Sequence, residues 1–159
     1  MNKENITTVF GTYSDLGQFA DEIRQNVFIE EQGMPADEVF DKDNKNAVHL
    51  VVFDHNNTAF ATARIITLDN DVYKIGLVAV IKSERKKHIG KYLMEEAIEY
   101  IKELGGKEII LSAQEYARNF YEKLGFVKCG DSIFNESGFV LIPMKLIIEK
   151  EVNLHNGDE

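Results

Sequence analysis

Residues 72–113 read VYKIGLVAVIKSERKKHIGKYLMEEAIEYIKELGGKEIILSA, and the three parts of this stretch decide the architecture. Val72–Ile81 reads as a strand. From Ile89 the apolar stripe Ile89, Leu93, Ala97 and Ile101, with Met94 and Ile98 beside it, recurs at helical spacing until Gly105-Gly106 ends it. Ile109–Ala113 is then a short buried strand. A strand–helix–strand unit of this kind makes its two strands parallel, with a right-handed crossover.

Working towards the N-terminus, Thr58–Leu68 and Ala47–Asp54 form a hairpin around the Asn56-Asn57 turn, and Asp69-Asn70-Asp71 turns into the central strand. Asp37–Asn46 is polar and acidic, a loop or one loose turn. Before it, Leu16, Phe19, Ala20, Ile23 and Val27 follow helical spacing to about Glu31; Ser14 and Asp15 offer the N-cap, and Gly33 and Pro35 stop the helix. Ile6–Tyr13 is a first strand. Towards the C-terminus come a helix, Glu115–Leu124, closed by Gly125, and strands Phe126–Gly130 and Phe139–Ile148. The order is β-α-β-β-β-α-β-α-β-β: a single-domain α/β protein with a mixed, mostly antiparallel twisted sheet and flanking helices. Residues 1–148 make up the domain, and 149–159 read as a polar, flexible tail.

The chain has 159 residues, is 44% hydrophobic and 28% charged, and so can bury one core without staples. Its start, MNKENITTVF, has no apolar segment of a signal peptide, and no apolar run approaches the ~20 residues of a membrane span. A lone cysteine, Cys129, fits a reducing compartment, and the cytoplasm is the expected location. The net charge of −9 argues against nucleic acid and anionic membrane as partners.

Against that acidic background, Lys82, Arg85, Lys86, Lys87 and Lys91 place five of the 18 basic residues within ten positions. They stand where a helix begins, which already carries partial positive charge and unpartnered N–H groups. Each cation there is unfavourable by about 0.3–1 kcal/mol unless an anion arrives. A phosphate or pyrophosphate accounts for the crowding, and Gly90 lets backbone approach it closely. The bland alternative is a solvated helix start capped by Ser83, with Glu84 in the first turn; the residues by themselves leave both open.

Val78-Ala79-Val80 followed by Arg85-Lys86-Lys87-His88-Ile89-Gly90-Lys91 resembles the acyl-CoA loop of the GNAT superfamily of N-acetyltransferases. Ala117-Arg118-Asn119-Phe120-Tyr121-Glu122-Lys123-Leu124-Gly125-Phe126 resembles that superfamily's final helix and its exit into a strand. Val27-Phe28-Ile29-Glu30-Glu31-Gln32, with Pro35, Asp41 and Ala113-Gln114, is similar to the ElaA-like branch. The resemblance spans roughly residues 6–146 and implies a GNAT-like acyl-CoA N-acyltransferase fold, acetyl-CoA as co-substrate and no metal. It implies that Val78 and Val80, flanking Ala79, offer main-chain groups to the acetyl and pantetheine portions. Residues 86–91 would wrap the pyrophosphate after Arg85, Gln114 would contact pantetheine, and Tyr121 would be the general acid that protonates the leaving thiolate. A phenol of pKa ~10 facing a thiol of ~8.5 makes that donation only slightly uphill. Read without the resemblance, Tyr121 is a packing residue beside Phe120 and Leu124.

Two positions depart from the family pattern. His88 stands where the family usually has Gly, at a cost of about 1 kcal/mol or more if φ is positive there. Leu141-Ile142-Pro143 lacks a His that ElaA-like sequences often carry, so no role for that His transfers.

The resemblance implies that the acceptor of the acetyl group is a primary amine, on a small molecule or a protein. Attack requires the neutral amine, and Glu30, Glu31, His49 or a water chain are the candidate proton acceptors. Glu30, Glu31, Asp37, Glu38, Asp41 and Asp43 would steer a cationic acceptor such as a polyamine, an amino sugar or a lysine side chain. Cys129 has no base near it in sequence, which favours direct transfer in a ternary complex over a covalent intermediate. Competing readings are a non-catalytic acyl-CoA sensor and a nucleotide-binding domain; the loop lacks the Gly-Lys-Ser/Thr ending that the latter needs. Oligomeric state is left open, a homodimer included.

Overall fold

The computed structural model describes residues 5–135 and 138–148; the expected tail, 149–159, lies outside the described residues. Its elements are β1 (Thr7–Gly11), α1 (Tyr13–Arg24), a π-helical continuation Gln25–Glu31, α2 (Ala36–Val39), β2 (Val48–Phe53), β3 (Ala59–Thr67), β4 (Val72–Val80), α3 (Ile89–Glu103), β5 (Glu108–Gln114), α4 (Arg118–Lys123), β6 (Val127–Lys128), β7 (Ile133–Phe134) and β8 (Val140–Ile147). The sheet runs β1-β2-β3-β4-β5-β8-β6, with β7 also on β8. Every pairing is antiparallel except β4 with β5, as the crossover requires.

Two cores sandwich the sheet. On one face the expected stripe of α3 (Ile89, Leu93, Met94, Ala97, Ile101) packs on Leu50, Val52, Ala61, Ala63, Ile65 and Ile75. On the other, Leu16, Ala20, Ile23, Val27 and Phe28 cover Val51 and Ala79. The alternation of Leu50, Val51 and Val52 between the two cores is the period-two signature of a strand buried on both faces. Gly105 (φ +85°) and the Gly106 N–H, which bonds to the Ile101 carbonyl at 2.9 Å, close α3.

Several boundaries differ from the sequence reading. The cap of α1 is Thr12, whose side chain accepts from the Asp15 N–H; Ser14 and Asp15 lie inside the helix. The acidic segment folds into α2 and a 3-10 turn, Lys42–Lys45. Glu115–Leu124 splits into a 3-10 turn, Glu115–Ala117, and α4. The two-residue strand β7 carries too short a pattern to be read from sequence.

Beneath α1 lies a buried polar network. His49 on β2 sits opposite Arg64 on β3, and both side chains, with Arg24 of α1, are buried. His49 Nε2 lies 2.9 Å from the Asn44 carbonyl oxygen, which can only accept, so Nε2 carries the proton and Nδ1 accepts from Arg24 Nη2 at 3.0 Å. Arg64 donates to both Asp41 carboxylate oxygens at 2.6 and 2.8 Å and to Asn44 Oδ1 at 2.9 Å. Burial pulls Arg24 down to about 10, still cationic at neutral pH. Burial raises the Asp41 carboxyl, but the bonds and charge of Arg64 outweigh it and hold the group below the usual carboxylate range.

These contacts correct two expectations. His49 is fully buried with both ring nitrogens engaged, so it is a structural residue and not the proton acceptor for an amine. Asp41 spends its charge on Arg64, which pins the acidic segment to the sheet, and is not a steering group.

Burial and the two nearby guanidinium groups push the His49 pKa below its ordinary value. The unfolded chain therefore binds a proton at His49 more readily than the folded one, and stability falls as pH drops through ~6.5. Urea unfolding between pH 8 and 5 should show this decline, and His49→Gln, less stable at pH 8, should be flatter over that range.

Candidate functional site

The central feature is a fork between β4 and β5. The two strands pair only at Val72–Lys74 with Glu108–Ile110, although β4 runs on to Val80 and β5 to Gln114. An irregularity in the β3–β4 register gives β4 one extra residue between Gly76 and Ala79, where Leu77 takes φ +49°. Beyond it, β4 veers from its parallel neighbour and leaves strand edges whose N–H and C=O groups lack a sheet partner on that side.

A cavity of about 750 Å³ fills the fork. Val78, Ala79 and Val80 line one wall; Arg85, Lys86, His88, Ile89, Gly90 and Lys91 line the end where α3 starts; Phe120, Tyr121 and Leu124 of the α4 region line the other wall. The structure thus brings together all the expected site residues except two. Lys87 turns out to solvent and pairs with Glu84 at 3.4 Å. Gln114 lines a second cavity of about 520 Å³, where its amide Nε2 donates to Gln32 Oε1 at 2.9 Å.

The start of α3 is not capped in the way the bland reading requires. Ser83 belongs to a separate 3-10 turn, Lys82–Glu84; the N-cap is His88, with no side-chain cap hydrogen bond. Arg85 N–H bonds to the Lys82 carbonyl and Tyr92 N–H to the His88 carbonyl, but among the described residues no backbone acceptor meets the N–H groups of residues 86–91. Lys86 (φ +67°) and His88 (φ +62°) both adopt the left-handed conformation, which turns the loop into a concave run of amides. A Cβ on Gly90 would meet only the Phe120 ring, at 3.4 and 3.7 Å, so the fold itself does not require glycine there. Unpaired donors beside Lys86 and Lys91 fit a pyrophosphate.

Tyr121 is boxed by aromatic rings: Phe120 at 5.0 Å and 74°, Phe126 at 6.0 Å and 75°. Burial, helped by Tyr116, pushes its phenol well above 10, so it keeps its proton at neutral pH. This corrects the small gap read from unperturbed values: against a free thiol the donation is steeper. The same apolar surroundings raise the pKa of a thiolate beside it, so the two groups shift together.

Glu31, at the end of the π-helical segment, meets Arg85 through two bonds of 2.5 and 2.6 Å, while Arg85 Nε donates to the Val80 carbonyl at 2.9 Å. The Arg85 hydrogen bonds hold the Glu31 carboxyl below the usual range, which makes Glu31 a weak proton acceptor. Glu30 is exposed and lines neither cavity. Gln32, Arg85 and Tyr116 line both cavities, so the two adjoin across these residues. Tyr116, Glu115 and Phe139 escaped the sequence reading. Their signal was positional: Glu115 and Tyr116 directly follow the carboxyl end of a parallel strand at a topological switch, where α/β sheets form ligand crevices.

Among the described residues, no group of three or more His, Cys, Asp or Glu side chains is arranged to hold a metal ion, and no helix is long and apolar enough to cross a membrane.

An open α/β sheet forked beside an uncapped basic helix start is the architecture of acyl-CoA N-acyltransferases. Residues 13–148 match the acetyltransferase (GNAT) domain family, and the chain belongs to it. It is 37% identical over 126 residues to a UPF0039 protein of Schizosaccharomyces pombe, covering 78% of this chain and 83% of that one. The crystal structure of Escherichia coli ElaA superposes with a TM-score of 0.78 at 25% identity, covering 89% and 99% of the two chains. A Bacillus anthracis protein solved with acetyl coenzyme A superposes with a TM-score of 0.56 at 28% identity, over 65% and 64%. The protein is an acetyl-CoA-dependent acyltransferase.

His88 needs the positive φ that glycine adopts freely, so His88→Gly should stabilise the fold by about 0.5–1 kcal/mol after the entropy gained by the unfolded chain is set against it. Scanning calorimetry of the ligand-free protein should show Tm rising by about 1–4 °C.

Proposed function

We propose that the protein transfers acetyl from acetyl-CoA directly to a primary amine, on a small molecule or a protein, within a ternary complex. Acetyl-CoA supplies the activated thioester. Backbone N–H groups of residues 86–91 receive the pyrophosphate, with Lys86 and Lys91 adding charge and Arg85 and Lys87 at its margin. Val78 and Val80, either side of Ala79, present main-chain groups to the pantetheine amides. Gln114 faces the thioester end from the smaller cavity, which receives the acceptor because it adjoins the larger one at Gln32, Arg85 and Tyr116.

The neutral amine attacks the thioester carbon; the C–N bond forms as the C–S bond breaks. Tyr121 gives its proton to the departing sulfur and regains one shed by the amine through water, so protons balance over the turnover. The exposed Cys129 lines neither cavity, in keeping with direct transfer. It also suits a reducing cytoplasm, and residues 1–148 act as one catalytic domain.

One observation carries this reading: orphaned amides at a helix start share a cavity with a protonated, buried tyrosine. Acetyl-CoA at a hundred times Kd should stabilise the protein by about 2.7 kcal/mol, and ATP much less. Tyr121→Phe should cut kcat by about 100-fold or more while that thermal shift survives. Unchanged turnover would remove Tyr121 from the chemistry.

A further inference from the structure

The smaller cavity has a charge arrangement that the family resemblance does not supply. Among the described residues, three charged side chains line it: Glu31, Arg85 and Glu115. Glu31 and Arg85 cancel each other through their two-bond contact, and Arg85 is held a third time by the Val80 carbonyl. Glu115 is exposed and enters none of the ion pairs among the described residues. Among the described residues, the cavity therefore carries one uncompensated negative charge, and it belongs to Glu115. Tyr116, 78% exposed on the shared rim, and Phe139 add two aromatic surfaces.

We infer that Glu115 is the specificity-determining residue of this enzyme and that it selects an amine bearing a single positive charge beside an apolar or flat body. This deepens the reading of the smaller cavity as the acceptor site and rests on it. An ammonium reaching the cavity finds one carboxylate to pair with and aromatic faces to attract it. A second cationic group gains nothing, because Glu31 is already neutralised. A carboxylate next to the amine is repelled by Glu115 and finds Arg85 engaged. A polyamine is therefore a poorer acceptor than a monoamine with an aromatic or aliphatic flank, and so is a free amino acid. Glu31 sits nearby with the same chemistry, yet acts through Arg85 as a positioning residue that holds the wall between the cavities.

The test uses 2-phenylethylamine, spermidine and L-phenylalanine as acceptors, with thiol release from acetyl-CoA as readout. Wild-type kcat/KM should favour 2-phenylethylamine over both others by about tenfold or more. Glu115→Gln should raise the KM for 2-phenylethylamine about 10- to 100-fold, leave the KM for acetyl-CoA alone and narrow the gap to L-phenylalanine. Glu31→Gln should keep the preference for the monocation. Turnover with an unchanged amine KM in Glu115→Gln, or loss of the preference in Glu31→Gln alone, overturns the assignment. If acetyl-CoA raises Tm but none of the three amines is acetylated, transfer to these small amines is refuted, and the proposed function keeps only other amines, such as those of a protein. Calorimetry of 2-phenylethylamine with CoA-loaded protein then decides the inference alone: binding weakened by Glu115→Gln upholds it, and absent or unchanged binding overturns it.

Discussion

The structure turns on the early end of one parallel strand pairing. β4 and β5 share only three residue pairs, Val72–Lys74 with Glu108–Ile110, before the extra residue near Leu77 bends β4 away. Had the pairing continued to Val80 and Gln114, the sheet would have used those main-chain groups for itself, and no ligand could enter. Because it stops, a cavity opens within the sheet, and the start of α3 and the aromatic flank of α4 converge on its two sides. Three features disfavoured in isolation meet there: unpaired strand edges, an uncapped helix start and residues with positive φ. Each is a known mark of a site held in shape for a ligand by the surrounding fold.

That strain is tolerable because the rest of the sheet is held firmly on both faces. α3 packs five buried side chains on one face, and α1 covers the other with an apolar row and a polar network. In that network His49, Arg24, Arg64, Asn44 and Asp41 satisfy most of one another's hydrogen bonds in the interior. The Arg24 and Arg64 Nε groups remain without a partner. Such an arrangement contributes little net stability compared with an apolar packing, but it punishes misplacement of α1 or of the acidic segment. Fixing that segment also fixes where the π-helical turn ends, and so where Glu31 and Gln32 meet the cavities. Arg85 completes the link by joining Glu31 to the end of β4.

Much of this could be read along the chain. The period of 3.6 at Ile89, Leu93, Ala97 and Ile101, and the short strands on either side, already implied a parallel crossover with basic residues at its turn. The crowding of Arg85, Lys86, Lys87 and Lys91 marked that turn as an anion site or a solvated helix start, because each cation at a helix start is unfavourable unless something offsets it. The left-handed conformation of His88 was legible as a condition, met in the structure at φ +62°. Local sequence signals sufficed for these because each involves neighbours within a few turns of chain.

Other features were decided only when distant segments met. His49 looked like a titratable strand residue, and only the approach of Asn44 and Arg24 made it a neutral, fully bonded core group. Glu31 and Glu115 look alike in sequence; Arg85, 54 residues from the first, neutralises one and leaves the other charged. Gln114, at the end of β5, lines the smaller cavity and donates to Gln32, 82 residues away in the chain. The chain by itself determined the order of elements, the crossover and the basic crowding at its turn, since periodicity and local charge express them. Which carboxylate stays free, which histidine stays neutral and how the two cavities join were fixed by tertiary contact, because desolvation and charge pairing depend on neighbours that sequence spacing does not reveal.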